Sequence, residues 1–223
     1  KIKEVPAFSF VKDSLDNYWF CTGNHLGYSD FKVHKIAKEK VVERFVKSTD
    51  NLLPLQESCY SYNQSGYINF RESLSNKVYR IEGGKFVLQY EIDFGKYKVP
   101  VADKSTDPML YVEELNKKDY CTIDRYFEND DYRYFYIKMY KVNSTEMTGY
   151  HWVIDKKNNS EKIIKYENSN ADVFLFWPQF LNEKNELVFI GYTQKDIKSG
   201  SEYVNKNPTV IHVSVESIFE YAD

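Results

Sequence analysis

Short aromatic and β-branched runs recur along the chain, and further runs of the same kind follow each of them. The first series recurs about every 50 to 65 residues, with members beginning at Tyr18, Tyr67, Tyr132 and Leu187. The second series lies at 32–36, 77–81, 150–154 and 209–213, and a third at 41–46, 86–94 and 162–166. This pattern predicts an all-β chain of about four repeats, each an antiparallel sheet of three or four strands. Repeats of this kind are typical of β-propeller blades.

The apolar positions within these runs indicate how the strands are covered. Phe86, Leu88 and Tyr90 alternate with mainly polar residues, which predicts a half-exposed strand. The run 132–140 is instead rich in apolar and aromatic side chains on both faces. A middle strand of a blade is covered on both faces, whereas a two-sheet sandwich covers only one face of each strand. The run therefore favours a propeller-like array.

The segments between the runs predict turns and one helix. Turns are predicted where Asn and Asp are concentrated, at 128–131, 156–159 and 182–185. Asp107 before Pro108 is a typical helix start, and Met109, Val112 and Leu115 follow at helical spacing. We therefore expect a short inserted helix near 108–118. A second irregular stretch is expected at 193–207.

The repeats divide one predicted domain, 1–223, into four approximate blades. These blades are expected at 6–48, 57–96, 119–167 and 171–221.

Composition narrows the classes of partner. Aromatic residues make up 17% of the chain and the net charge is −3. Lys and Arg are scattered among Asp and Glu, so no basic stripe predicts nucleic-acid binding. The mean hydropathy is −0.60. No apolar run approaches the roughly 18 residues that a membrane helix needs, so no membrane span is predicted in this chain.

One segment resembles a known family. The stretch NKVYRIEGGKFVLQYEIDFGKYKVP at 76–100 resembles a recurrent segment of a six-bladed β-propeller family of unknown function, found mainly in Bacteroidetes. The segments 16–24 and 205–215 are similar to an inner and a closing strand of that family. The resemblance implies a C-terminal portion of about four blade equivalents. It also implies an extracytoplasmic protein, periplasmic or an outer-membrane lipoprotein, whose signal would be encoded before Lys1. The family supplies no established catalytic residue.

The chain carries no local catalytic motif. It lacks a nucleophile elbow, a Gly-rich phosphate loop, HExxH and CxxC. No catalytic residue, metal or cofactor is predicted, and His34, His151 and His212 mark a repeated strand position that tolerates histidine. The densest acidic group, at 124–131, is interpreted as a solvated turn. Cysteines 21, 59 and 121 allow either one disulfide with a spare thiol or three separate buried thiols.

Three residues are candidate ligand contacts. Asp124 and Arg125 begin the third repeat and are expected at the mouth of the propeller channel. Trp177 precedes Pro178 and is expected near the end of a strand. Aromatic side chains contribute stacking area to ligand pockets. Trp19 and Trp152, in contrast, are expected in the core.

The sequence favours a non-enzymatic ligand-binding or scaffolding module of the cell envelope. Its expected ligand is a carbohydrate, a peptide or a protein. The alternative is a glycan- or peptide-processing hydrolase or lyase with its site at the propeller mouth. Exposed blade faces leave three arrangements open: further blades encoded upstream, closure of four blades, or a homodimer that covers the faces.

Overall fold

Each sheet is a meander in which every strand pairs with its neighbour in sequence. The computed structural model of the chain describes residues 6–23, 29–48, 59–63, 65–101, 107–142, 144, 147–166, 173–193 and 209–220. In this part of the chain the strands form four antiparallel sheets, three with four strands and one with three. The described part of the chain is thus all-β, with few helices, and each of its four sheets is a meander of the kind that forms a β-propeller blade.

The strands follow the chain order sheet by sheet. The first sheet contains β1 (Ser9–Lys12), β2 (Tyr18–Cys21), β3 (Phe31–Ala37) and β4 (Lys40–Lys47). The second contains β5 (Tyr60–Tyr62), β6 (Ile68–Arg71), β7 (Lys77–Glu82) and β8 (Lys85–Glu91). The third contains β9 (Tyr120–Glu128), β10 (Tyr132–Tyr140), β11 (Met147–Asp155) and β12 (Ser160–Lys165). The fourth contains β13 (Val173–Leu181), β14 (Glu186–Thr193) and β15 (Thr209–Ser214).

In the described residues two short α-helices accompany the sheets, α1 (Pro108–Leu115) and α2 (Val215–Glu220), together with one 3-10 turn at Gly95–Tyr97. Asp107 caps α1 by accepting a hydrogen bond from the Met109 backbone N–H at 2.7 Å, which confirms the predicted start. The helix ends at Leu115, earlier than predicted, and its buried side chains are Tyr111 and Leu115 while Met109 is exposed. Helix α2 was not predicted, and the irregular stretch expected at 193–207 lies, beyond Thr193, outside the described residues. No helix of the described chain is long and apolar enough to cross a membrane.

Contacts divide the chain into two compact units. Unit 1 comprises Lys1–Asp124 with Lys138–Met147, and unit 2 comprises Arg125–Ile137 with Thr148–Asp223. The core of unit 1 is built around Trp19, which is fully buried and packs on Phe45 and Phe86. Its indole N–H donates to Asp13 at 2.9 Å, so the one polar atom of this buried ring is satisfied. The prediction of Trp19 as a core residue is confirmed.

The core of unit 2 centres on β10. Tyr134, Phe135, Tyr136 and Ile137 are all buried although they alternate between the two faces of the strand. This confirms the prediction that both faces of this strand are covered. Phe135 stacks on the half-buried Trp152 at 5.0 Å between ring centroids.

Strand β8 departs from the predicted alternation. Val78 pairs with Tyr90 but the next residue, Tyr79, pairs with Leu88, so Gln89 is an extra residue in a β-bulge. Leu88, beside the bulge, is 45% exposed, whereas Phe86, two residues earlier on the same strand, packs against the core of unit 1. The alternation prediction is therefore wrong for Leu88.

The predicted turns are confirmed, and two of them are linked. Asn185 adopts a left-handed backbone conformation with φ of 58°, which Asn tolerates. The Asn129 amide donates to Asn185 at 2.7 Å, and the Asn185 amide donates to Asp131 at 3.0 Å. The backbone N–H of Val215 at the start of α2 also donates to the Asn185 carbonyl. Within unit 2, Asn185 thus joins two turns and a helix.

Candidate functional site

A cavity of about 510 Å³ lies in unit 1. The meander topology explains its position. Because neighbouring strands are antiparallel, the end of β2, the start of β3 and the end of β4 lie at the same end of the first sheet. In the second sheet, the end of β6, the start of β7 and the end of β8 likewise lie at the same end of the sheet. These strand ends, together with the segment 98–101 and Tyr111 of α1, form the cavity wall. Its volume is in the range of small-molecule sites.

The described wall combines apolar and basic side chains. Its apolar and aromatic part is Val46, Phe70, Leu74, Tyr79, Val99, Pro100, Val101 and Tyr111. Its charged part is Lys32, Lys47, Lys77, Lys98, Glu72 and Glu91. Lys32 pairs with Glu72, Lys77 with Glu91 at 3.7 Å, and Lys98 with Asp93 at 3.0 Å. Four lysines thus face three carboxylates, and the small net positive charge favours a ligand with negative charge.

Lys32 and Glu72 form an ion pair at the cavity wall. Their side chains are 6% and 20% exposed, and the Lys32 ammonium donates to the Glu72 carboxylate. Burial lowers the pKa of Lys32 to about 8. Loss of either partner would leave the other charge poorly solvated, so the two side chains stay together. The pair thereby links the start of β3 to the residue that follows β6.

Two thiols line the same cavity. Cys21 ends β2, and Cys59 immediately precedes β5. Both are buried and reduced, and the Cys21 thiol donates a hydrogen bond to the Cys59 sulfur with the Sγ atoms 3.4 Å apart. The hydrogen bond to Cys59 and burial raise the pKa of Cys21 well above its usual value. The third cysteine, Cys121, is also buried, so all three thiols are reduced and buried, but Cys21 and Cys59 are in contact and not separate as the second interpretation expected.

The aromatic wall is held rigidly. Tyr79 stacks on Phe86 at 4.8 Å and contacts Phe70 at 6.1 Å between centroids. Burial, with the charge of Glu91, raises the pKa of Tyr79, so its hydroxyl stays neutral. The Tyr111 hydroxyl donates to the Pro100 carbonyl at 2.9 Å and fastens the 98–101 segment to α1. The wall thus offers a fixed apolar surface beside basic groups.

The structure brings together two of the three predicted ligand contacts. The Arg125 guanidinium lies 5.3 Å from the centre of the Trp177 ring, within cation–π distance. Trp177 is partly buried and packs against the core of unit 2. Asp124 is buried, and its carboxylate pairs with the Lys138 ammonium at 2.6 Å. Consecutive strand residues point to opposite faces, so Asp124 and Arg125 do not form one site.

The acidic group at 124–131 is mostly not the solvated turn that the sequence indicated. Glu128 is buried and bonds to Arg133 at 3.3 Å, to Lys156 at 3.0 Å and to the Tyr126 hydroxyl at 2.6 Å. Asp130 is exposed, as expected of a turn residue. The solvated-turn interpretation is therefore wrong for Asp124 and Glu128. The reason is that strand β9 continues through both residues and buries them.

The three histidines of the repeated position lie in the third strand of their sheets. His34 and His151 are buried, whereas His212 is half exposed and pairs with Glu186 at 3.0 Å. Among the described residues, no three His, Cys, Asp or Glu side chains converge as a metal site.

Sequence reasoning missed the cavity, although one signal for it was present. The runs KVHKI at 32–36 and KVYRI at 77–81 share the same pattern and occupy the third strand of the first and second sheets. Their first residues, Lys32 and Lys77, both line the cavity. An alignment of the repeats therefore could have identified the basic positions. It could not have placed Cys59 beside Cys21, because Cys59 precedes its strand rather than ending one.

Comparison with known proteins gives the fold and no family. No family model and no curated protein matches the sequence. Among solved structures, the chain is similar to a Bacteroides fragilis protein predicted to be exported, with a TM-score of 0.62 and 11% identity over 89% of this chain. The chain spans 58% of the length of that protein. At this identity the likeness shows the fold alone.

Two further structures have lower similarity. One is virginiamycin B lyase from Staphylococcus aureus, with a TM-score of 0.33 and 14% identity over 92% of this chain and 54% of the lyase. The other is the WD40 domain of SCAP from fission yeast, with a TM-score of 0.31 and 8% identity over 95% of this chain and 46% of the domain.

Proposed function

We propose that this chain is a non-enzymatic ligand-binding module of the cell envelope, and that the cavity of unit 1 binds its ligand. The observation that carries the proposal is a rigid aromatic wall beside four lysines, one more than the three carboxylates that pair with them, around a cavity of about 510 Å³. Aromatic faces stack on sugar rings or apolar side chains, and ammonium groups pair with carboxylates. The ligand class supported best is therefore an acidic oligosaccharide or an acidic peptide segment.

The proposed location has a separate basis. It rests on the family resemblance of the 76–100 segment and on the likeness in fold to a Bacteroides fragilis protein predicted to be exported. Fractionation of cells that express the natural gene tests the location, because an envelope protein is recovered with the periplasm or the outer membrane. Recovery in the cytoplasm would contradict it.

Arg125 and Trp177 remain a proposed second ligand contact in unit 2. A guanidinium held against an indole presents a flat surface with one charged edge, which fits an acidic or aromatic ligand group. Replacement of Trp177 by Ala should weaken binding of any ligand that uses this contact.

Calorimetric titration tests the cavity with matched ligands and matched variants. The probe is an oligosaccharide of uronic acids, and its carboxyl-reduced neutral form is the ligand control. The double variant Lys77→Ala with Lys98→Ala removes two cavity lysines. Lys85→Ala with Lys96→Ala removes the same charge from exposed positions that do not line the cavity.

We expect the cavity variant to lose affinity by on the order of tenfold or more, since each 1.4 kcal/mol corresponds to a factor of ten. The control variant should bind as the wild type does. Equal loss in both variants would show a general charge effect and would contradict the cavity site. Shortening of the oligosaccharide over time, followed by mass spectrometry, would instead support the hydrolase or lyase alternative.

A further inference from the structure

The pair of thiols in the cavity wall is the feature that the proposed ligand site does not use. Cys21 and Cys59 come from the first and second sheets, and they are 38 positions apart in sequence. Their Sγ atoms lie 3.4 Å apart, whereas a disulfide bond is about 2.05 Å long. Side-chain rotation that brings each sulfur about 0.7 Å towards the other would therefore suffice to join them.

The surroundings of the pair favour a covalent link. Both cysteines are more than nine-tenths buried, and the hydrogen bond between them already aligns the two sulfurs. The cavity is the route by which a small reagent reaches them, because both line it. The hydrogen bond to Cys59 and burial hold the pKa of Cys21 well above its usual value, and the positive charge of Lys32, which also lines the cavity, offsets only part of this shift. Cys121 lies elsewhere in unit 1 and has no such partner thiol.

We propose that Cys21 and Cys59 are a redox-active pair that forms a disulfide across the two sheets when a small disulfide such as oxidised glutathione enters the cavity. The proposal concerns the covalent state of these thiols and does not depend on which ligand the cavity takes. It is also independent of the proposed location, because the oxidant can be supplied to the purified protein.

The exchange balances in two steps. The thiolate of one cysteine attacks a sulfur of oxidised glutathione, the glutathione disulfide bond breaks, and one glutathione leaves as a thiolate that takes up a proton. The thiolate of the second cysteine then attacks the protein sulfur of the mixed disulfide and releases the second glutathione. Two protein thiols lose two electrons and two protons, and one glutathione disulfide becomes two glutathione thiols.

Peptide mapping of the purified chain tests the proposal. The reduced protein is equilibrated in glutathione redox buffers, alkylated with iodoacetamide, and digested without reduction. We expect a linked peptide containing Cys21 and Cys59 that has lost two hydrogens, with Cys121 alkylated separately. Separate alkylation of Cys21 and Cys59 under oxidising buffer would overturn the proposal. A glutathione adduct that persists on either cysteine, or a link that uses Cys121, would overturn it as well.

Variants provide the matched controls. Cys121→Ser should keep the linked peptide, whereas Cys21→Ser and Cys59→Ser should abolish it. Closing a loop of this length should raise the melting temperature of the oxidised wild type by about 10 °C relative to the reduced protein. The same comparison should give no increase in Cys21→Ser, and a persistent increase there would also contradict the link. The mapping of the wild type alone decides the proposal if a serine variant does not fold.

Discussion

The imidazole Nδ1 of His151 is hydrogen-bonded to the Tyr134 hydroxyl at 2.6 Å, inside the core of unit 2. His151 lies on β11 and Tyr134 on β10, and the two rings are 5.9 Å apart between centroids. Burial lowers the pKa of His151 to about 4, so the core holds a neutral imidazole at physiological pH. This pair therefore makes the stability of unit 2 sensitive to acid.

We predict that His151 removes about 3 kcal/mol of stability as the pH falls from 6.5 to 4. In this window the unfolded chain binds a proton at His151 and the folded chain does not, so acid favours unfolding. Denaturant unfolding at a series of pH values measures the effect. His151→Gln should flatten this part of the curve, whereas Tyr134→Phe should lower the whole curve and keep its slope, because burial is retained. An unchanged slope in His151→Gln would contradict the assignment.

Glu128 should contribute much more to stability than its exposed neighbour Asp130. Its carboxylate bonds to Arg133, Lys156 and Tyr126, and its side chain is 2% exposed. Glu128→Ala should destabilise the chain by about 3 kcal/mol, since it leaves the two cations without their shared buried partner. Asp130→Ala should change the free energy of unfolding by less than about 0.5 kcal/mol. Similar effects of the two replacements would contradict a buried role for Glu128.

Gly149 is required for space. A Cβ atom at this position would meet the Tyr136 hydroxyl and would lie 2.8 Å from the ring carbon Cζ. Tyr136 is buried and cannot move aside freely. Gly149→Ala should therefore cost about 1–3 kcal/mol, measured by chemical denaturation.

A compensating variant tests the cause of that cost. Tyr136→Leu removes the ring that the new methyl group would meet, so Gly149→Ala should cost less in the Tyr136→Leu background than in the wild type. Equal costs in the two backgrounds would show that the loss does not come from this contact.

The exposure of Leu88 on β8 makes this position tolerant of a charge. Leu88 is 45% exposed although it belongs to the apolar phase of the strand by sequence. Leu88→Lys should change stability by no more than about 0.5 kcal/mol. Ile81, paired with Phe86 on the neighbouring strand, is 1% exposed, and Ile81→Ala should cost about 2–5 kcal/mol. A large loss in Leu88→Lys would place this side chain in the core after all.

These positions show how far local sequence determines the fold. The strand series and the Asp107–Pro108 helix start were predicted correctly because alternation and capping depend on residues close together in sequence. The bulge at Gln89 could not be predicted, since the register of β8 is set by its pairing with β7.

The candidate site depends even more on long-range packing. Cys21 and Cys59 are in contact only because the first and second sheets pack against each other, and no local sequence pattern links the two residues. The sequence indicated a solvated turn at Asp124 and Glu128 because carboxylates are usually exposed to solvent. Their burial is explained only by their ion pairs with Lys138 and Lys156, which are distant in sequence. Arg125 and Trp177 were named separately from their residue types, and their mutual contact emerged from the fold.

The amide of Asn185 has a consequence for the motions of unit 2. The side-chain amide is hydrogen-bonded to Asn129 and Asp131, and the backbone carbonyl of the same residue accepts from the Val215 N–H. The turns at 128–131 and 182–185 share these hydrogen bonds, so opening of one turn breaks bonds that also stabilise the other. Deuterium uptake at the backbone amides of both turns should consequently rise and fall together, as one cooperative opening event.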